Sequence, residues 1–101
     1  MQDIHVIYLT ITQQLDGTGD VWQEHPTFDR KAALRIAADE WNHLTRSEQA
    51  RRRVYVGVYT VVVPAGDTRT AGQIFDDMLA DDTWPIDHDV LELPKEGEAD
   101  A

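Results

Sequence analysis

The side chains of this chain that can do chemistry are mostly carboxylates, and their surplus is concentrated at one end. The sequence holds 19 Asp and Glu against 9 Lys and Arg, with four histidines and no cysteine, for a net charge of −10. Without cysteine, thiol nucleophiles, thiolate zinc sites and disulfides are excluded. Residues 1–63 carry eight acids and seven bases, whereas residues 64–101 carry eleven acids and only Arg69 and Lys95. The stretch "FDDMLADDTWPIDHD" sets Asp76, Asp77, Asp81 and Asp82 around a helix C-terminus, then adds Asp87 and Asp89. Cations are favoured at that end of a helix by about 0.3–1 kcal/mol each. Asp77 and Asp81 are also a like-charged i, i+4 pair, which costs a few tenths more. Such a local penalty, roughly 1–2 kcal/mol in all, is noticeable against a typical stability of about 5–15 kcal/mol.

Three uses of that charge follow. An exposed acidic face keeps a small domain soluble, and this is the commonest use. It can also bind a basic protein, with Trp84 beside the aspartates as an apolar anchor if that ring is exposed, since tryptophan is enriched among interface anchors. The leading expectation for Trp84 itself is burial, where it only staples its loop to the core. A divalent cation is the third. Calcium loops alternate oxygen ligands around a glycine, and "DDTWPIDHD" has neither that glycine nor a closing glutamate. On a strand, Asp87 and Asp89 share a side while His88 points away. No metal and no cofactor are expected.

Other groups suggest less. "ARRR" (Ala50 to Arg53) suits phosphate in principle, but Arg51 and Arg52 also complement a helix C-terminus, and the overall negative charge disfavours direct nucleic-acid binding. Asp39 and His43 stand i, i+4 on a helix, where a carboxylate can orient an imidazole for base chemistry. Ser47 is the single serine and falls in a capping turn, so no nucleophile accompanies them and no catalytic residue is assigned. "DGTGD" (Asp16 to Asp20) lacks the lysine and following helix of a phosphate-binding loop and reads as a hairpin turn.

The elements that position these groups are legible from periodicity. "DIHVIYLTIT" is a strand with Ile4, Val6 and Tyr8 on one side and Ile7, Leu9 and Ile11 on the other, which places it centrally in a sheet. "VWQEH" is a short return strand ended by Pro26, which has no amide hydrogen to donate. "FDRKAALRIAADEWNHL" is a helix capped by Asp29, with a stripe of Leu34, Ala37, Trp41 and Leu44. Thr45 with Glu48, and Thr70 with Gln73, have the form of capping boxes opening two further helices. "VYVGVYTVVV" is a strong strand, in which Gly57 marks close packing or a bulge. Ala71, Ile74, Phe75, Met78 and Leu79 form the inward face of the last helix, and "DVLEL" closes the sheet. The expected fold is α+β, a two-layer, mainly antiparallel sheet with two helices on one face, in the order β-β-α-β-α-β. Residues 1–94 form a single domain, and residues 95–101 a disordered acidic tail.

Phe28-Asp29, the helix alanines, Trp41, Leu44-Thr45, Glu48, the basic run and the Val-rich strand make residues 1–63 resemble a group of small α/β proteins of Gram-positive bacteria and their mobile elements. That resemblance implies a βαβ-type scaffold and a phage or plasmid context, and it carries no activity. The opening "MQDIHVIYLTITQQL" lacks the basic start of a signal peptide, and no run approaches the roughly 20 apolar residues of a membrane span. A cytoplasmic address and no membrane partner are therefore expected. The leading expectation is a non-enzymatic module that binds a basic macromolecular partner through Asp76, Asp77, Asp81, Asp82, Trp84, Asp87 and Asp89. Its sharper form is an inhibitor that mimics nucleic acid. The alternatives are a structural homo-oligomer, a dimer in its simplest form, built on the Val-rich strand or an apolar sheet face, and a small carboxylate or histidine enzyme.

Overall fold

The computed structural model describes residues 1–15 and 17–93. Strand β1 (Gln2–Gln14) runs antiparallel to β3 (Arg52–Pro64) in unbroken register, from Gln2 opposite Pro64 to Gln14 opposite Arg52. This pair is the spine of the molecule. On the other side of β1 lies β2 (Val21–Thr27), and on the other side of β3 lies β4 (Asp87–Leu91). The four strands form one antiparallel sheet in the order β2-β1-β3-β4. Helix α1 (Arg30–His43) and the short α2 (Arg46–Arg51) lie between β2 and β3, and α3 (Ala71–Ala80) lies between β3 and β4. The α+β class, the antiparallel sheet and the order of elements are thus as expected. The tail proposed for residues 95–101 lies outside the described residues.

The placement of the helices is not as expected. Side chains alternate between the faces of a strand, and the continuous β1–β3 register carries that parity across the spine. Ile7, Leu9, Ile11, Val61 and Val63 share one face and pack with Ala71 and Ile74 of α3. Val54 and Val56 project from the other face and pack with Ala33 and Ala37 of α1, joined by Tyr8, Trp41 and Leu44. The helices therefore cover opposite faces, and the molecule has three layers rather than two. Both central strands are apolar on both sides, so a single helical layer would leave one side of each in water.

Each helix begins where the side chains can satisfy its free amides. Asp29 accepts from the backbone N–H groups of Lys31 and Ala32. Thr45 with Glu48, and Thr70 with Gln73, close complete capping boxes. Gly57 makes no bulge. A Cβ there would stand 2.5 Å from Ile11 Cδ1, so its missing side chain admits the isoleucine of the neighbouring strand. Pro26 does not end β2, which continues to Thr27 through a slip in register opposite Tyr8 and Thr10. An edge strand with a bulge is where a proline can be carried. Leu79, expected to face inward, is 63% exposed. α3 meets the sheet along Ala71, Ile74, Phe75 and Met78, which turns Leu79 away.

Candidate functional site

The C-terminal end of α3 explains part of the aspartate crowding. Asp81 is the C-cap, so neither it nor Asp82 lies within the helix. The Asp82 N–H donates to the Leu79 carbonyl at 3.4 Å and the Thr83 N–H to the Met78 carbonyl at 2.9 Å. Asp82 itself has φ 53. This paired bonding around a left-handed residue is a Schellman motif, a position normally given to glycine. Asp is among the few other residues that enter this region with any frequency. Asp82 therefore serves the turn as well as the surface.

The motif throws the chain from α3 back across the sheet toward β4, and the crossing segment leaves Trp84 80% exposed rather than buried as a staple against the core. Trp84 separates two shallow grooves, each close to 300 Å³ (about 290 and 300 Å³). The first lies between α3 and the sheet, with Phe75, Met78 and Leu79 as one wall, Tyr59 and Gln23 as floor, and His88 and Asp82 at its margin. The second runs on the far side of Trp84, past Ile74 and Ile86 to Asp77, Asp81 and Arg69. The floor is polar only where it is tied down: Gln23 Nε2 donates to the Tyr59 hydroxyl at 3.0 Å. Burial, with Tyr55 nearby, pushes the Tyr59 phenol above its ordinary range, and the Gln23 bond opposes that shift.

The structure gathers some of the expected residues and separates others. Asp81, Asp82 and Trp84 stand together at the grooves. Asp77 lines the second groove and pairs with Arg69, whose Nη1 donates to Asp77 Oδ2 at 2.8 Å. Arg69 also grips Asp67, with Nη2 to Oδ2 at 2.6 Å. Hydrogen bonds from the Arg69 side chain and then its backbone N–H hold the Asp67 carboxyl below its usual range. Asp76 is exposed on α3 and lines neither groove. Asp87 and Asp89 lie opposite Thr60 and Val58, on the α1 side of the sheet, whereas His88 lies opposite Tyr59 on the α3 side. The two aspartates instead bond the backbone, Asp87 Oδ1 accepting from His88 N at 2.9 Å and Asp89 Oδ1 from Val90 N at 2.7 Å. Charge of this kind on an edge strand discourages further strand pairing.

The basic run does not neutralise the acidic groups beside Trp84. Arg52 pairs with Glu48 and lies over the Trp22 ring, while Arg53 pairs with Glu92 and lies over Tyr55. Arg51 donates to the Ser47 carbonyl. His43 Nδ1 donates to the backbone carbonyl of Asp39 at 2.6 Å, not to its carboxylate, so the pair is not an oriented dyad. Gly17 and Gly19 take positive φ in the turn between β1 and β2, as a hairpin requires, and Asp16 lies outside the described residues. Among the described residues no helix is long and apolar enough to cross a membrane. The groove floor of Gln23 and Tyr59, with His88 at its margin, is not legible in sequence, because three strands contribute to it and no local spacing signals it. Comparison with protein-family models, curated proteins and solved structures returned no match.

Proposed function

We propose that this protein is a non-enzymatic interaction module whose grooves beside Trp84 receive a basic protein segment with an apolar side chain among its cations. The observation that carries this reading is the 80% exposure of Trp84 next to Asp81 and Asp82. A large ring held in water offers apolar area to a partner, and the neighbouring carboxylates select its charge. Leu79 and Ile86, 63% and 60% exposed, extend the apolar surface on either side. Mimicry of nucleic acid is the weaker form, because Asp87 and Asp89 face away from the α3 aspartates. The testing experiment is capture of bound proteins at ~0.15 M and ~0.5 M salt, where the screening length falls well below 10 Å. The wild-type chain is compared with W84A and D81N/D82N. Basic partners lost at high salt and lost by both variants support the reading. Partners that are not basic, or that survive either change, refute it.

Self-association is the second reading. Ile4 and Val62 are register partners on the α1 side of the sheet, 64% and 39% exposed, beyond the reach of that helix. The Val-rich strand is flanked by β1 along its length and by β4 opposite Val56 to Thr60, which leaves little of its edge for pairing. The sheet face is the broader route, and light scattering of wild type against I4S distinguishes a dimer from a monomer.

A further inference from the structure

The slip in β2 has a chemical result. Successive side chains on a strand point to opposite faces, so Glu24 and His25 would ordinarily diverge. In β2 the register places Thr27 opposite Tyr8 but Glu24 opposite Thr10, leaving one residue extra on the β2 side. His25 occupies this bulge with φ 57, in the left-handed region. Bulges re-aim side chains, and here His25 Nε2 comes to 3.5 Å from Glu24 Oε2. Glu40 reaches across from α1, its Oε1 3.8 Å from the same nitrogen. One donor atom from each residue lies within 4.8 Å of the others. Among the described residues, no Lys or Arg forms an ion pair with either glutamate.

These spacings are long for an N–H···O bond, which centres on about 2.9–3.0 Å. They suit neighbouring ligands of one ion. Zinc binds nitrogen and carboxylate oxygen at about 2.0–2.2 Å in tetrahedral array, which sets its ligands roughly 3.4 Å apart. We propose that Glu24, His25 and Glu40 bind a divalent transition metal of the zinc type, with the fourth position left to water. An imidazole with two carboxylates suits zinc, copper or nickel, whereas calcium calls for six or more oxygens. The sequence alone implies no metal, because only the fold brings Glu40 to Glu24 and His25. This site joins β2 to α1, on the opposite face of the sheet from the grooves, so it stands or falls independently of the partner-binding reading.

The test titrates the chain with Zn²⁺ alone by calorimetry, and with Co²⁺ by visible absorption, for wild type, H25G, E40Q and H88A. Glycine accepts the positive φ of position 25, so H25G deletes the ligand while keeping the bulge. Loss of a ligand should cost at least as much as loss of an outer-shell partner, about 10–100-fold in affinity. One equivalent bound by wild type and H88A, weakened at least tenfold in H25G and E40Q, with a tetrahedral Co²⁺ spectrum and a Zn²⁺-dependent rise in Tm, supports the site. Binding no tighter than millimolar, equal affinity in H25G and wild type, or a Tm indifferent to Zn²⁺ overturns it.

Discussion

Replacing Asp82 tests the reading of the α3 terminus most directly. At φ 53 the residue carries the Schellman turn, and it does so as an anion beside the partially negative end of a helix. Two contributions oppose it. An ordinary L-residue pays about 1–2 kcal/mol in the left-handed region, less for Asp because its short side chain bonds locally. A negative charge at a helix C-terminus costs about 0.3–1 kcal/mol. Asp82→Gly removes both but gives the unfolded chain more freedom, which costs about 0.4–1 kcal/mol. The net is a stabilisation of about 1 kcal/mol. Asp82→Asn keeps the backbone tolerance and drops the charge, for roughly 0.3–1 kcal/mol. Asp82→Ala drops the charge but pays the full conformational cost, leaving it at or below wild type. The expected order of stability is Gly, Asn, Asp, Ala, read from urea midpoints or from Tm, where 1 kcal/mol is about 4–8 °C for a domain of this size. The Asn gain should shrink at ~1 M salt, where charges are screened within about 3 Å. Equal stability of the Ala and Gly variants would refute the left-handed argument. Because Asp82 also borders the first groove, the Gly variant should be more stable and yet bind a cationic partner less well.

Three further outcomes are expected. Thr10 is 2% exposed and its Oγ1 has no hydrogen-bond partner; an unpaired buried hydroxyl costs about 1–3 kcal/mol, so Thr10→Val should raise stability by about 1 kcal/mol in urea denaturation. Gly57→Ala should cost about 1–3 kcal/mol, because the added Cβ meets Ile11 Cδ1 at 2.5 Å and Ile11 is buried; no loss of stability would show that the isoleucine repacks freely. Asp67 has a folded pKa depressed by Arg69, so its contribution is present above the unfolded value of about 3.9 and is lost as pH falls through the folded value. Arg69→Gln should therefore flatten the loss of stability below about pH 5, and an unchanged acid profile would show that the pair adds nothing.

Local signals were read directly from the sequence, and long-range ones were not. The capping boxes of Thr45 with Glu48 and Thr70 with Gln73 depend on residues three apart, and both are present. The two strands of the spine announced themselves by β-branched content. Helix order alone does not tell one-faced from two-faced cover, although the apolar character of Ile7, Leu9 and Ile11 opposite that of Val6 and Tyr8 calls for cover on both. Pro26 reads as a stop in the sequence alone, because a bulge depends on the neighbouring strand. Exposure of Trp84 rests on how the Schellman turn directs the chain, which no periodicity encodes. Nearness in sequence groups Asp87 and Asp89 with the α3 aspartates, and strand parity divides them.

The division of the interior by the sheet has a consequence for cooperativity. The α1 core and the α3 core lie on opposite faces of the central strands, so loss of one helix should leave the other core packed. α3 carries one wall of the first groove, so amide exchange in residues 71–80 should be set by a smaller opening free energy than exchange in α1. A ligand at Trp84 would then slow exchange selectively in that helix, making partner occupancy and the local folding of α3 a single equilibrium.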